Sequence, residues 1–166
     1  MSSQVLTDQT SSPVLEAWVR LLRAHAAATR ALSARLVHEH GLTINDYECL
    51  LHLARADERA LRRVDLADRL LLTPSGVTRL LDGLERAGHV EKRSCESDAR
   101  VTYAALTDAG LRKLEQASAD HVAAVRELFE ERFSPDELAT LATLLGRLPG
   151  AAEAAGETCS VDEPAA

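Results

Sequence analysis

LRRVDLADRLLLTPSGVTRLLDGLERAGHVEKRSCESDARVTYAALTDAG, residues 61–110, is the stretch on which the fold turns. Leu66 and Leu70, four apart, mark one face of a short helix over Arg63–Leu70. Thr73-Pro74 then opens a second helix: the hydroxyl can satisfy orphan amides, and a proline at the first position needs no amide hydrogen. Val77, Leu80, Leu81 and Leu84 recur at i, i+3, i+4 and i+7 and define its buried face. Ser75, Gly76, Thr78, Arg79, Asp82 and Arg86 are left facing outward. Gly88 offers a left-handed stop. His89–Arg93 and Arg100–Ala104 read as short strands, with residues 94–99 as the turn between them. Two helices across a tight break, followed by a hairpin, is the order of a winged helix-turn-helix. In that module the second helix enters the DNA major groove and the hairpin lies against the next groove.

Three segments in this stretch resemble the multiple-antibiotic-resistance regulator (MarR) family of bacterial transcription factors. Leu72-Thr73-Pro74-Ser75-Gly76-Val77-Thr78-Arg79-Leu80 is similar to the family's recognition helix, Asp98-Ala99-Arg100 to its Asp-x-Arg wing motif, and Leu106-Thr107-Asp108-Ala109-Gly110 to its strand-to-helix exit. Leu42-Thr43 followed by Tyr47, Leu50 and Leu51 is similar to the helix that precedes the DNA-reading unit. The resemblance runs over roughly residues 12–148, with the pieces in order and at family-like distances. The fold it implies is mainly α: a winged helix-turn-helix with a small β-hairpin wing and terminal dimerisation helices.

Composition agrees with packed helices. The 166 residues carry 3% aromatics, and Leu and Ala dominate. No apolar run reaches membrane length and no signal-peptide core is visible, so the chain reads as cytoplasmic. The cysteines at 49, 95 and 159 form no CxxC pair, which argues against a disulfide framework or a zinc finger. The net charge is −7, yet residues 59–100 hold nine Arg/Lys against seven Asp/Glu and so carry +2, leaving −9 on the remainder. The DNA-reading unit is the basic part of an acidic chain, as phosphate attraction requires, and its modest charge predicts strongly salt-dependent affinity.

Residues 1–13 are Ser/Thr/Gln-rich and read as disordered. A long amphipathic helix follows, with Leu15, Trp18, Leu22, His25, Thr29, Leu32 and Leu36 on one stripe, ending near His40-Gly41. Thr43 to Asp46 resembles a capping box for a helix to about Ala56. Thr107 can cap a long helix through about Arg132, and Ser134-Pro135-Asp136-Glu137 starts a last one that carries Leu138, Leu141, Leu145 and Leu148 and stops at Pro149-Gly150. The resulting division is a winged-helix domain over 14–148, with its DNA-reading core at about 61–106, dimerisation segments at 14–40 and 108–148, and a tail over 149–166. The terminal helices hold more apolar surface than a thin winged domain needs. A homodimer with interleaved terminal helices, which the resemblance also implies, would cover it and would set two recognition helices ~34 Å apart on a near-palindromic operator in double-stranded DNA.

Ser75, Gly76, Thr78 and Arg79 are the candidates to read bases, Arg79 by two donors to a guanine, although Thr78 and Arg79 touching only phosphate is the alternative. Arg100 would enter the minor groove from the wing, and Asp98 would orient it or act simply as a turn residue. Lys92, Arg93, Arg62 and Arg63 are phosphate candidates, although for each alone a solvated surface charge is the stronger reading. Family members commonly release DNA when a small aromatic or anionic ligand binds between the dimer helices and the winged unit. Trp18, His25, Tyr47, Glu48 and His52 are candidates to line such a pocket, and Trp18 with the acidic residue after Tyr47 resembles, in part, a urate-responsive branch of the family. Core or interface packing for Trp18 and Tyr47, and a surface pair for Glu48 and His52, are the competing readings.

Cys95, beside Arg93 and Arg100, admits a redox-sensing regulator, although no resolving cysteine is near it in sequence, and Cys49 on an apolar face reads as inert. His38-Glu39-His40 places its imidazoles at i and i+2, on divergent sides of a helix, so neither a metal site nor a cofactor is expected. No phosphate-cradling Gly loop, HExxH or nucleophile elbow is present, and the chain reads as no enzyme. The alternative from another class is a helical protein-interaction adaptor that reuses the fold.

Overall fold

The computed structural model describes residues 12–94 and 102–149. Asp98, Arg100 and Cys95, the extreme N-terminus and the tail from residue 150 onward lie outside the described residues. The chain divides into two units, Met1–Val125 and Arg126–Ala166.

In the first unit, α1 (Pro13–His40) begins one residue earlier than the sequence pattern predicts, with Pro13 at its first position. It ends at Gly41, whose N–H bonds back to the Val37 carbonyl at 3.0 Å. α2 (Ile44–Arg55) opens on the expected capping box: the Asp46 N–H donates to Thr43 Oγ1 at 3.2 Å, and the Thr43 N–H donates to Asp46 Oδ2 at 2.8 Å. This helix is the spine of the core, with Tyr47, Cys49, Leu50, His52 and Leu53 all buried. Burying Leu50 and Leu53 completely contributes roughly 1.5–3 kcal/mol each. A 3-10 turn (Asp57–Arg59) leads into β1 (Ala60–Arg62), then α3 (Arg63–Leu70) and α4 (Pro74–Arg86). The wing strands are β2 (Val90–Ser94) and β3 (Thr102–Leu106), and α5 (Asp108–Glu130) follows.

The sheet is antiparallel with order β1-β3-β2. Val90 pairs with Leu106 and Ser94 with Thr102, while Ala60 pairs with Ala105 and Arg62 with Tyr103. Two features depart from the sequence reading. A third strand, β1, joins the expected hairpin, and its three residues are too few to show an alternation. The hairpin is also shifted: Ser94, expected in the turn, is in β2, and β3 runs on to Leu106. Ala104, Ala105 and Leu106 are buried because β3 is the central strand, packed between neighbours on both sides. An Ala-Ala-Leu run carries no β-branched signal, so its strand character comes from that position.

Gly88 adopts φ 74°, the left-handed stop expected of it, just after α4. Thr107 starts α5 as anticipated: the Gly110 N–H donates to its Oγ1 at 3.0 Å, while that hydroxyl donates to the Gly88 carbonyl at 2.7 Å. One hydroxyl therefore ties the entry of α5 to the exit of α4.

The second unit holds the end of α5 and the helix α6 (Pro135–Leu145), opened by the predicted Ser134/Glu137 capping box. Those hydrogen bonds, backbone first, hold the Glu137 carboxyl below its ordinary pKa. α6 ends at Leu145 rather than at Leu148. Arg147 and Leu148 donate to the carbonyls of Leu144 and Leu145, a tighter i→i+3 pattern, because the residue before Pro149 is disfavoured in helical conformation. Among the described residues, no helix is long and apolar enough to cross a membrane.

Candidate nucleic-acid interface

The helix-turn-helix consists of α3, a turn at residues 71–73 and α4. Thr73 caps α4 by accepting the Gly76 N–H at 3.1 Å, and Pro74 occupies the first helical position. Val77, Leu81 and Leu84 are buried and Leu80 is half-buried, so the apolar stripe read from the sequence is the face that holds α4 on the domain. Ser75 and Arg79 are consequently exposed, and Gly76 and Thr78 are half-buried on the same helix. Gly76 has a structural role of its own: a Cβ there would lie 3.2 Å from Thr73 Oγ1, against the cap.

The basic side chains fall into distinct groups. Arg79 is exposed and makes no hydrogen bond or ion pair among the described residues. Arg63 is half-buried and turned inward, where its Nη2 donates to Thr78 Oγ1, and that hydroxyl donates in turn to the Pro74 carbonyl at 2.9 Å. Arg63 therefore braces α4 from α3, and the Thr78 hydroxyl is engaged on both sides. Arg62 is bidentate to Asp65 at 2.7 and 2.8 Å, which lowers the Asp65 pKa. Arg93 pairs with Glu91 at 2.9 Å on its own strand. Lys92 reaches from β2 to α4, 2.7 Å from Glu85 and 3.7 Å from Asp82. These acids are three apart on α4, a spacing that sequence inspection could have matched to a cation. Their partner, however, depends on how the wing folds back. Each of these pairs has a solvent-exposed cation, so water screens it and it is weak.

The five residues singled out for a ligand pocket have different surroundings in the single chain. Trp18 and His25 are exposed on α1. Tyr47 is in the core, its hydroxyl donating to Ser118 Oγ at 3.3 Å and its ring 4.5 Å from that of His121. His52 is buried, whereas Glu48, four residues earlier, is exposed, so the two do not form a surface pair. Partial desolvation raises the Glu48 pKa, and the nearby His25 opposes that shift. An open groove runs along α1 from His25 to His38, past Thr29, Arg30 and Ser33, and of the five it takes in only His25. Cys49 is fully buried, and burial, then Asp46, pushes its thiol up to about 12, which leaves it inert as expected.

Residues 40–101 match the family model described as MarR family. The uncharacterized HTH-type transcriptional regulator YkoM of Bacillus subtilis (strain 168) is 31% identical over 134 residues, which span 79% of this chain and 85% of YkoM. The crystal structure of Sco3205, a MarR family transcriptional regulator from Streptomyces coelicolor in complex with DNA, superposes with a TM-score of 0.72 at 29% identity, covering 78% of this chain and 81% of Sco3205. CouR from Rhodococcus jostii RHA1, solved bound to p-coumaroyl-CoA, superposes with a TM-score of 0.63 at 28% identity, covering 76% of this chain and 86% of CouR.

Proposed function

Because the chain belongs to the MarR family of DNA-binding transcriptional regulators, we propose that it acts as a homodimeric repressor that reads a near-palindromic operator and lets go of it when a small aromatic or anionic ligand binds. The carrying observation is Arg79: it stands on the exposed face of a capped, firmly seated α4 with no partner of its own among the described residues. A guanidinium held there can place two donors on the O6 and N7 of a guanine. Ser75 and Gly76 lie one turn nearer the N-terminus of α4 and let that end approach the base edges. Thr78 contributes mainly by fixing the helix through Arg63, and what it offers to DNA is its methyl group. Arg62 and Arg93 are held in weak pairs, so each can swing to a phosphate at small cost, whereas Lys92 stays on Glu85 and Asp82 of α4. Arg100 enters the minor groove with Asp98 orienting it, as the wing motif implies.

Dimerisation is supported by the N-terminal half of α1, where Val14, Leu15, Trp18, Val19 and Leu22 are all exposed. Such an apolar run on one helix is the sort of surface a second copy covers. In the second unit, α6 by itself buries none of its residues. The ligand reading rests on the crystal structure of CouR with p-coumaroyl-CoA, and His25 with the groove along α1 is where this chain would receive an effector.

The test is selection of tight binders from a random duplex library, followed by fluorescence anisotropy at two salt concentrations. Wild type should enrich inverted half-sites centred about 10 base pairs apart. Arg79→Ala should lose about 1–3 kcal/mol on the selected site and much less on a scrambled one. No enrichment, or equal losses on both duplexes, would refute operator reading by Arg79.

A further inference from the structure

We propose that Glu39, His40 and Asp120 form a binding site for a divalent first-row cation, zinc being the ion their donor set suits. The sequence offers Glu39 and His40 at the end of α1 but no third ligand. The fold brings in Asp120 from α5, eighty residues away, with its Oδ2 2.9 Å from His40 Nε2. One donor atom from each of the three residues lies within 4.8 Å of the others.

Three features favour a cation. The donors are an imidazole nitrogen and two carboxylates, with no thiolate, and two carboxylates beside a neutral imidazole balance a charge of +2. The separation of 2.9 Å between His40 and Asp120 is that of a hydrogen bond, and tetrahedral ligands bonded to zinc at ~2.0–2.1 Å lie ~3.3 Å apart, so the pair has to open only slightly to admit the ion. His40 is held, its side chain only 11% exposed, whereas Glu39 is exposed and able to close the remaining distance. The site also sits at the C-terminus of a 28-residue helix, where the macrodipole favours positive charge. Arg35 is a competing cation for Glu39, but its Nε is 3.9 Å away, a loose exposed contact. On binding, Nε2 gives its lone pair to the metal, the neutral ring carries its single proton on Nδ1, and water completes the coordination. The ion would clip the end of α1 to the middle of α5, next to the capping box that starts α2. The inference stands apart from the operator reading, since neither needs the other.

The experiment is titration of the full-length protein, with Cys95 and Cys159 changed to Ser to remove competing thiols. Zn(II) is followed by calorimetry and Co(II) by visible absorption. The expected result is one ion per chain and a melting temperature that rises with Zn(II) concentration. Glu39→Gln and Asp120→Asn, both at exposed positions that leave the core intact, should each weaken binding by at least about tenfold and abolish the Zn(II)-dependent rise. His38→Gln should change neither. Absence of saturable binding, or binding that survives both Glu39→Gln and Asp120→Asn, would overturn the proposal.

Discussion

Gly110 and Gly83 are two helical glycines for which the same added methyl should have opposite effects. A Cβ on Gly110 would lie 2.1 Å from the His89 carbonyl oxygen, 2.9 Å from its carbon and 2.8 Å from Leu106 Cδ1. Two of these atoms are backbone, so the start of α5 must retreat by about 1 Å from the loop that leaves α4. Overpacking of this kind costs about 1–3 kcal/mol. The retreat also strains the bond that the Thr107 N–H donates to the His89 carbonyl at 3.1 Å, for about 1 kcal/mol. Exchanging glycine for alanine in a helix returns about 1 kcal/mol, which leaves Gly110→Ala about 1–3 kcal/mol less stable. Gly83, inside α4, has nothing within 4 Å of its Cβ position, so Gly83→Ala should gain about 0.5–1 kcal/mol. For a chain of this length the melting temperature should fall by about 2–12 °C in the first case and rise by about 1–4 °C in the second. Both are read by thermal unfolding at one fixed protein concentration, because association shifts the midpoint. A Gly110→Ala protein within 0.5 kcal/mol of wild type would refute the close approach between α5 and the exit of α4.

Two further changes test other parts of the fold. Leu71 sits at φ 52° in the helix-turn-helix turn with its side chain 92% exposed, so its left-handed backbone is compensated by little packing. Leu71→Gly should stabilise the free protein by about 0.5–1 kcal/mol in urea denaturation, and a loss of stability would show that the leucine packs against something. Burial, then Lys113, lowers the His89 pKa below its ordinary 6.5 against a smaller opposing pull from Asp46, and its Nδ1 is buried without a partner. The unfolded chain therefore binds the extra proton first: the neutral ring's contribution is complete above pH 6.5 and is lost as pH falls from there toward the lowered folded value. The denaturation midpoint of wild type should drop more between pH 7.5 and pH 5.5 than that of His89→Asn, and identical drops would sink the argument.

The parts of the fold that were legible are those written in local chemistry. Thr43, Thr73, Thr107 and Ser134 announce helix starts because a hydroxyl at that offset satisfies an amide whatever the rest of the chain does. The stripe Val77, Leu81 and Leu84 announces the buried face of α4 for the same reason. What was not legible depends on distant chain. β1 is a strand because β3 lies beside it. Tyr47 could be read equally as a pocket wall or as core until α5 set Ser118 and His121 against it. Asp120 was one acid among many until the fold set it on His40.

The charge count shows why a sum over sequence is a poor guide to a DNA surface. A net +2 over residues 59–100 suggests a weakly basic face shared by many side chains. The structure distributes it differently. Arg59 faces Asp108, Arg62 faces Asp65, Lys92 faces Glu85 and Asp82, and Arg93 faces Glu91, while Arg63 is spent inside on Thr78. The ion pairs cancel locally, so at a distance the face projects chiefly the charges of Arg63, Arg79 and Arg86, which pair with no carboxylate among the described residues, while Arg69 acts on Asp65. At contact the balance changes. Under the proposed operator reading, each solvent-screened pair is weak and a phosphate would offer a charge-assisted bond in its place, so the paired arginines would become available on docking. Lys92 would be the exception, because releasing it uncovers two carboxylates on α4. Its value would lie in staying on Glu85 and Asp82, where it neutralises α4 and holds the wing strand to it. The count of phosphates read from a salt titration should accordingly fall below the number of basic residues on the face.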